Sequence, residues 1–525
     1  MKRTTWIATA VTVGLVVSGC TSPGNGASDG GKLVNGGTFT LAVDTDLGNL
    51  NPFTTTLGAT NQFDQFLYQG LVDQDAAGNV VASLAETFDA TLTTAHFTIR
   101  KGITCSDGQP FSAADAAATI NWVADPANKA AILGQTVQVG TTATADEAAG
   151  TVTVTSGEPD AFLLLDLGSV AMVCRNALRD PTLLAAGKGG TGLFTLADSV
   201  PGDHYTAKRR TDYAWGPGDW QNNQPGLPDQ VVAKVVENPT TAANLLLSGQ
   251  LNSADITGPD EQRLRSANLF RIDSWSVEGE IWFNEQAGHP GADESVRRAI
   301  IQALTLPEIG KVLTGDAGKP ADQMLAGTTP QPCPGNTIDG NLPPTDVSAA
   351  KTALDAAGWL PGAEGYRHKE GSPLTFVLAH FTSPGRQTEA VELVQQQLKQ
   401  VGVKVEAKAG DGVSFNNVVV SGAFDMALVG VGEHLPSQLA PLFSGPGFAD
   451  GGKNLGSVHN PTYDALVRKA SSMSGKDGCA TWNQAESELI KRVDIVPFYL
   501  LPTPNFGRGA TYSSVQFPWS IRMTA

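Results

Sequence analysis

The sequence predicts an α/β protein with mixed sheets and two or more domains. Its 525 residues exceed what one hydrophobic core usually holds, and 41% hydrophobic against 17% charged residues is typical of globular chains. A strand–helix–strand unit stands out between Leu374 and Val405, where apolar residues from Val391 to Val401 recur at spacings of three and four. Strand-like and helix-like patterns alternate along the rest of the chain.

In the first half of the chain, apolar patterns predict strands at 37–43, 96–99, 151–155, 192–196, 205–208 and 230–236. A helix begins after Ser112, because Ser112 and Asp115 form the sequence pattern of a capping box. Another helix begins at Thr240 and ends at Gly249, and glycine commonly follows the last helical residue.

The second half repeats this alternation. Asp346 is a suitable N-cap for a helix over 347–357, and the unit at 374–405 follows it. A continuous apolar run at 424–431 predicts a buried strand, and the residues at 497–501 predict the last strand before the C-terminus.

The N-terminus has the layout of a secretory signal: two basic residues, an apolar run at 6–17 and small residues at the end. The run is shorter than the ~20 apolar residues that a membrane-spanning helix needs. Residues 17–20, Val-Ser-Gly-Cys, resemble a bacterial lipobox, in which Cys20 is diacylated after cleavage; the alternative is an ordinary signal peptide with a chance cysteine. We expect a chain that works outside the cytoplasm, anchored to the membrane by lipid on Cys20 and by a flexible tether at 21–35.

Charge and cysteine content exclude several classes of function. A formal net charge of −17 argues against nucleic acid as a partner, because phosphate binding needs clusters of lysine and arginine. The four cysteines besides Cys20 are an even number in an oxidising location, so two disulfides are expected, with three pairings open. None of the four has the C-x-x-C spacing of a redox or zinc motif. They are Cys105, Cys174, Cys333 and Cys479.

The motifs of common enzyme classes do not fit this sequence. Gly187, Gly189 and Gly192 match a dinucleotide fingerprint, but this string follows a loop and precedes a strand, whereas the site needs a strand before it and a helix after it. The sequence contains neither H-E-x-x-H nor G-x-S-x-G, and its seven histidines are scattered. We expect no catalytic residue, metal site or cofactor, and a catalytic group that only the fold assembles stays an alternative.

Short blocks along almost the whole mature chain occur in an order shared with one known family. The most recognisable block runs from Asp107 to Asp115, with the sequence DGQPFSAAD. The other blocks lie at 36–41, 50–52, 68–72, 83–88, 97–103, 190–192, 247–251, 283–284, 296–299, 303–304, 397–403 and 424–426. Together they resemble extracellular solute-binding family 5, the lipoproteins that serve ABC importers of dipeptides and oligopeptides.

The resemblance implies a two-lobe fold like that of periplasmic binding proteins (large, class II), whose lobes close on a ligand about hinge strands. The implied bounds are 36–68, 190–277 and 492–525 for the first lobe, 69–189 for an extra subdomain of that lobe, and 278–491 for the second lobe. This division places Cys105 and Cys174 in the extra subdomain and Cys333 and Cys479 in the second lobe, so the resemblance favours these two pairings.

The resemblance also implies where a ligand binds. In peptide-binding relatives, an acid that follows the strand near Asp425 binds the peptide's α-ammonium group, and Glu433 is the nearest acid here. The loop at 56–59 matches a lip whose backbone pairs with a peptide as an added strand, and Arg386 is a candidate for the ligand's carboxylate. The alternative for Glu433 is a solvated acid in a loop, the alternative for residues 56–59 is an ordinary turn, and the alternative for Arg386 is an exposed side chain without a ligand role. The candidate ligand-binding residues are Thr56, Leu57, Gly58, Ala59, Arg386, Val431, Gly432 and Glu433.

We therefore expect a monomeric lipoprotein that captures short peptides and delivers them to the permease of an ABC importer. Haem, a nickel chelate and an oligosaccharide are alternative ligands within the same family. Two other classes stay open. A secreted hydrolase would need a nucleophile with a positioned base, and the melting temperature of an adhesive lipoprotein would not change when any ligand is added.

Overall fold

A computed structural model describes residues 31–525, except 56, 76–77, 219, 328–330, 383–385 and 431–432. Four residues of the sequence predictions, Cys20, Thr56, Val431 and Gly432, lie outside the described residues, and so does the predicted signal. Within the described part of the chain, no helix combines the length and the apolar character that crossing a membrane requires.

The predicted helices begin and end close to their local sequence signals. The capping box of Ser112 and Asp115 precedes α2, Gly249 ends α6 in the left-handed conformation (φ 77°), and Asp346 accepts a hydrogen bond from Ala349 N at the start of α10. The described α-helices are α1 Gly58–Leu67, α2 Ala113–Ala124, α3 Leu163–Ser169, α4 Arg175–Leu178, α5 Pro181–Ala185, α6 Pro239–Ser248, α7 Pro259–Ser266, α8 Glu294–Gln302, α9 Leu306–Thr314, α10 Val347–Ala356, α11 Arg386–Lys399, α12 Gly412–Val420, α13 Pro436–Phe443, α14 Pro461–Ser471 and α15 Cys479–Lys491.

The strands are more numerous than the sequence patterns predict, because several are too short to show a period. They are β1 Thr38–Val43, β2 Val72–Gln74, β3 Val80–Ala82, β4 Ala85–Ala90, β5 Thr94–Ile99, β6 Thr142–Asp146, β7 Thr151–Thr155, β8 Phe194–Val200, β9 His204–Arg209, β10 Gln230–Val235, β11 Ser253–Asp255, β12 Phe270–Phe283, β13 Lys319–Pro320, β14 Leu360–Pro361, β15 Arg367–Lys369, β16 Ser372–Pro373, β17 Thr375–Phe381, β18 Lys404–Gly410, β19 Met426–Leu428, β20 Ile495–Gly507, β21 Ala510–Thr511 and β22 Arg522–Met523. The unit β17–α11–β18 has parallel strands, as predicted.

Two strand predictions are wrong in their bounds. The buried strand expected at 424–431 is only the three residues of β19, because the chain leaves the sheet where Gly430 packs against the backbone of Val277. The last long strand, β20, is thirteen residues and extends well past the predicted range at both ends.

One large sheet passes through the molecule in the order β18-β17-β19-β12-β20-β11-β1-β10-β9-β8, with β13 also paired to β20. The long strands β12 and β20 run antiparallel, from the pair Phe270–Gly507 to the pair Trp282–Ile495. At the first end β11 pairs with β20, and at the second end β19 pairs with β12. These two strands therefore carry the sheet from the first lobe into the second.

The pairing of β12 with β20 is irregular around Gly279, where the register shifts on both sides. A Cβ atom at Gly279 would lie 2.7 Å from Cε2 of Phe498 and 2.7 Å from Cβ of Tyr499, so the crossing has room only for glycine. The irregularity adjoins the predicted boundary between residues 277 and 278. The bounds of the lobes themselves stay a prediction.

Most of the buried side chains form cores on one side or the other of this crossing, and one smaller core joins Ala161 and Phe162 of the predicted subdomain to buried residues between 333 and 482. One core joins residues between 39 and 235 with Phe270 and residues 510–523, so the predicted subdomain shares its core with the first lobe. Two further cores lie within residues 281–499. The structure bonds Cys105 to Cys174 and Cys333 to Cys479, which confirms the pairings that the resemblance favours.

The predicted tether extends too far toward the fold. Leu33 forms a bridge with Thr524, and Val34 N donates a hydrogen bond to Met523 O at 3.0 Å. Asn35 Oδ1 accepts a hydrogen bond from Gly226 N at 2.7 Å. Leu33 and Val34 are therefore paired with the C-terminal segment, and Asn35 is bonded to Gly226.

A buried arginine stabilises the second lobe. Arg297 is 0% exposed, and its Nη2 donates to Asp494 Oδ1 at 2.6 Å while its Nη1 lies 3.3 Å from Glu285 Oε2. Asn460 Nδ2 donates to the other oxygen of Asp494 at 2.7 Å. Burial, followed by the charge of Asp494, raises the pKa of Glu285, so Arg297 and one carboxylate form the charged core of this cluster.

Replacing Arg297 by methionine is expected to lower the free energy of unfolding by about 3–5 kcal/mol, because buried carboxyl groups lose their cation. Arg298→Met on the same helix is the matched control. Arg298 is partly exposed and 3.5 Å from Glu294, so its loss is expected to cost about 0–1 kcal/mol. Urea unfolding followed by circular dichroism measures both, and equal losses would contradict the role of Arg297.

Candidate ligand-binding site

A cavity of about 370 Å³ lies between the lobes. By the predicted bounds, the first lobe contributes α1, the end of β11, β20 and the segment 513–517, while the second lobe contributes 324–327 and the loop that contains Glu433. The strand β12 forms the back wall through residues 272–277. The described lining residues are Gln62, Asp255, Ile272, Asp273, Ser274, Trp275, Ser276, Val277, Met324, Leu325, Ala326, Gly327, Glu433, His434, Asn505, Ser513, Ser514, Val515, Gln516 and Phe517.

Aromatic and small polar side chains share this lining. Trp275 lies on the strand that connects the lobes, and Phe517 lies in the first-lobe segment, where it stacks on Trp519 with ring centroids 5.4 Å apart. Hydroxyl groups of serines and the amides of Gln62 and Asn505 lie between the aromatic surfaces. Such a mixture binds a ligand that has both apolar groups and backbone-like hydrogen-bonding groups.

Asp255 reaches the cavity from the first lobe, at the end of β11. Its Oδ1 accepts a hydrogen bond of 2.7 Å from Asn505 Nδ2, and Asn505 Oδ1 in turn accepts bonds from Ser253 Oγ (3.0 Å) and Tyr512 Oη (2.5 Å). Ser253, Asn505 and Tyr512 are all buried, so this network fixes the carboxylate. Burial raises the pKa of Asp255, although its side chain remains accessible from the cavity.

Glu433 reaches the same cavity from the second lobe. Its side chain is half-buried, and burial raises its pKa while the charge of Lys453 opposes the shift. The structure therefore places Glu433 between the lobes, where the sequence analysis expects a counter-ion. Its contact with a ligand stays a prediction.

The charges around this cavity are unbalanced. A third acid in the lining, Asp273, is already neutralised by Arg271, whose Nη2 donates to Asp273 Oδ2 at 2.6 Å. Among the described lining residues there is no lysine or arginine, and the undescribed residues between 31 and 525 include neither. Asp255 thus faces the cavity without a cation in its described lining, whereas Glu433 has Lys453 nearby, in the lining of the adjoining cavity.

A second cavity, of about 380 Å³, adjoins the first, since Glu433 lines both. It separates the predicted subdomain, at Asp160 and Asp166, from the second lobe. Beside it the two parts touch directly, because Gly475 N donates to Ala161 O at 2.6 Å.

Two acids are buried together in the wall of the second cavity. Burial raises the pKa of Asp160, and burial together with the charge of Asp160 raises the pKa of Asp166 well above its usual range. Ionising both of two adjacent buried carboxyl groups costs free energy, because their negative charges repel each other. The pair therefore retains a proton. The subdomain wall consequently carries less negative charge than its sequence suggests.

Other predicted ligand residues lie elsewhere. Gly58 and Ala59 are the first residues of α1, and Leu57 precedes them with its carbonyl bonded to Asn61 N. Helical residues cannot pair with a peptide as an added strand, so that part of the prediction is wrong at Gly58 and Ala59. Gln62, one turn later, reaches the cavity instead.

Arg386 is also positioned away from the cavity. Its Nη1 donates a hydrogen bond of 2.7 Å to Thr314 O at the C-terminal end of α9, where a cation is favoured by the helix dipole. Arg386 is absent from the described lining of both cavities. The structure thus gives Arg386 a role in helix packing, and its contact with a ligand stays a prediction.

Sequence reasoning missed Asp255, Trp275, Asn505 and the segment 513–517. An acid between two apolar residues, as at 254–256, is by itself only a weak signal for a site. No local pattern shows that Asp255 and Glu433, 178 positions apart by their numbers, face one cavity. Only the pairing of β11 with β20 brings Asp255 beside Asn505.

Comparisons with known proteins decide the family. The model for bacterial extracellular solute-binding proteins, family 5 Middle, matches residues 79–448. The chain belongs to this family. Family 5 proteins bind solutes outside the cytoplasm and are not enzymes as a class.

Individual relatives agree with this assignment. The oligopeptide-binding protein OppA of Mycobacterium tuberculosis (strain ATCC 25618 / H37Rv) is 29% identical over 271 residues, which cover 48% of this chain and 42% of OppA. The match thus spans less than half of the length of that relative.

Solved structures confirm the two-lobe fold. A substrate-binding protein from Microbacterium hydrocarbonoxydans, complexed with 4-hydroxybenzoate hydrazide, is 25% identical, with a TM-score of 0.68 and coverage of 93% of this chain and 100% of that one. NikA from Brucella suis, in complex with Fe(III)-EDTA, is 21% identical, with a TM-score of 0.75 and the same coverage of both chains.

The buried acid pair predicts a pH dependence of stability. A folded-state pKa above the unfolded value means that the folded chain binds more protons, so stability is lost as pH rises above about 4. Asp166→Asn keeps a hydrogen-bond donor toward Asp160 but cannot lose a proton as the pH rises. The unfolding free energy of the variant, relative to that of the parent, is therefore expected to increase by roughly 1.4 kcal/mol per pH unit until the pH passes the folded-state pKa of Asp166 in the parent.

Urea unfolding of the parent and Asp166→Asn between pH 4 and pH 8 measures this gain. The control is Asp89→Asn, which removes an exposed acid from the same subdomain and should give a constant difference. A gain for Asp166→Asn that does not change with pH would show that the carboxyl group is ionised in the folded protein.

Proposed function

We propose that this family 5 protein captures short peptides with a free amino terminus between its lobes and delivers them to the permease of an ABC importer. The observation that carries the proposal is the carboxylate of Glu433, which faces a partly apolar cavity whose described lining contains no cation. The oligopeptide-binding relative supports peptides as the solute class.

The energetics of closure favour this ligand. An ammonium group taken from water into a closed cleft loses its hydration, so it binds only where an opposite charge replaces the lost water. Glu433 supplies that charge. Trp275 and Phe517 offer apolar surfaces for side chains, and the serines of the lining offer hydrogen bonds to peptide backbone groups.

Charge disfavours haem and anionic metal chelates among the alternative ligands. Fe(III)-EDTA, which the NikA structure contains, is an anion, and haem carries two propionates. Both need cations in the wall, whereas Asp255 and Glu433 would repel them. A neutral ligand, such as an oligosaccharide or a small aromatic compound, fits the aromatic surfaces, but its affinity should not depend on the charge of Glu433.

Glu433→Gln is expected to weaken binding of the peptide Ala-Ala-Ala by about 2–5 kcal/mol, the usual cost of removing one partner of a buried charge pair. The N-acetylated peptide lacks the ammonium group, so the same substitution should change its affinity little. Isothermal titration calorimetry of both peptides with both proteins gives the coupling between Glu433 and the amino group.

Glu392→Gln is the matched control, because Glu392 is an exposed acid on α11. It should leave both affinities unchanged. Equal losses for the free and acetylated peptides, or an unchanged affinity in Glu433→Gln, would remove Glu433 from the ammonium site.

The membrane anchor belongs to the same proposal. Two acyl chains on Cys20 would hold the protein stably at the membrane, which one chain alone does poorly. Cys20→Ala is expected to abolish incorporation of a labelled fatty acid, while the neighbouring change Thr21→Ala is expected to preserve it. Label that persists in Cys20→Ala, or a mature N-terminus at another residue, would contradict the lipobox.

A further inference from the structure

The cavity holds more negative charge than one peptide terminus needs. Glu433 from the second lobe accounts for one ammonium group in the function proposed above. Asp255 from the first lobe remains, and the described lining has no lysine or arginine to pair with it. A carboxylate that loses water when the lobes close needs a cation from the ligand itself.

Asp255 is built as a fixed acceptor. Its Oδ1 is held by Asn505 at 2.7 Å, and Asn505 is held by the buried hydroxyl groups of Ser253 and Tyr512. Among the described hydrogen bonds, this network engages one oxygen of the Asp255 carboxylate, and the side chain is accessible from the cavity. A pre-positioned acceptor loses little conformational freedom on binding, so it discriminates well between charged and neutral groups.

The third acid of the lining behaves differently. Asp273 lies on the same wall, but Arg271 binds both of its oxygens at 2.6 Å. Asp273 therefore has its cation within the fold, whereas Asp255 is hydrogen-bonded to an uncharged amide. Of the acids on the first-lobe side of the cavity, Asp255 is the one left for a ligand.

We propose that Asp255 is a specificity-determining residue that selects peptides with a basic side chain, so that a ligand is held by two cations, its amino terminus at Glu433 and a lysine or arginine side chain at Asp255. The assignment rests on the peptide-binding function proposed above. Closure would then bring one acid from each lobe onto one ligand, which links charge recognition to the closed state.

The test compares lysine with norleucine, which has a side chain of similar length but no ammonium group. Lys-Ala-Ala, Ala-Lys-Ala and Ala-Ala-Lys are titrated against their norleucine counterparts by calorimetry at one salt concentration. At one of the three positions, lysine is expected to bind about 10- to 100-fold more tightly than norleucine, the range for a hydrogen bond to a charged group.

Asp255→Asn retains an oxygen that accepts the hydrogen bond from Asn505, so the fold should be kept. It is expected to remove the preference for lysine, and its circular dichroism spectrum and melting temperature show whether the variant is folded. Glu433→Gln should weaken both members of each pair equally. Asp89→Asn removes one exposed charge from the subdomain and should preserve the preference.

The outcomes separate the two proposals. Equal binding of lysine and norleucine at all three positions, or a preference that survives in Asp255→Asn, overturns the role of Asp255 and leaves peptide binding standing. Failure of every peptide contradicts the peptide function instead. In that case 1,5-diaminopentane is the probe: a rise in melting temperature that is lost in Asp255→Asn supports the two-carboxylate site, and no rise overturns it.

Discussion

Two long antiparallel strands, β12 and β20, connect the lobes and form or position part of the wall of the cavity between them. β12 supplies the back wall at 272–277, and β20 supplies Asn505 and pairs with β11, which ends in Asp255. Their irregular pairing around Gly279 lies between the two ends, where side chains leave no room for a Cβ atom. A change at this crossing would therefore move both acids of the site relative to each other.

Buried charge is treated in opposite ways in the core and in the cavity. Arg297 in the second lobe is surrounded by acceptors of this chain, so that its charge is fully used by the fold. Asp255 and Glu433 lack a cation in the lining they share. A charged group that is removed from water without a partner costs free energy. Acids that line a cavity without a cation beside them therefore say more about the ligand than the buried ion pair of Arg297 does.

Local signals predicted part of the regular structure. The capping box at Ser112 and the helix-ending Gly249 act over one turn, so the sequence alone located these helix ends. The unit β17–α11–β18 was predictable because each of its elements is long enough to show a period. The length of β19 was overestimated, because a continuous apolar run does not show where another segment of the same chain ends the strand.

The sequence by itself determined the α/β class, the expectation of two disulfides, the resemblance to family 5 and the choice of Glu433 as an acid near the site. The tertiary structure decided which disulfides form, that Arg386 binds Thr314 instead of lining the cavity, and that Asp255 faces it. The reason is the range of the interactions concerned. Periods and caps are set by neighbours within a few residues, whereas the wall of a cavity is assembled from strands that the chain places side by side after hundreds of residues.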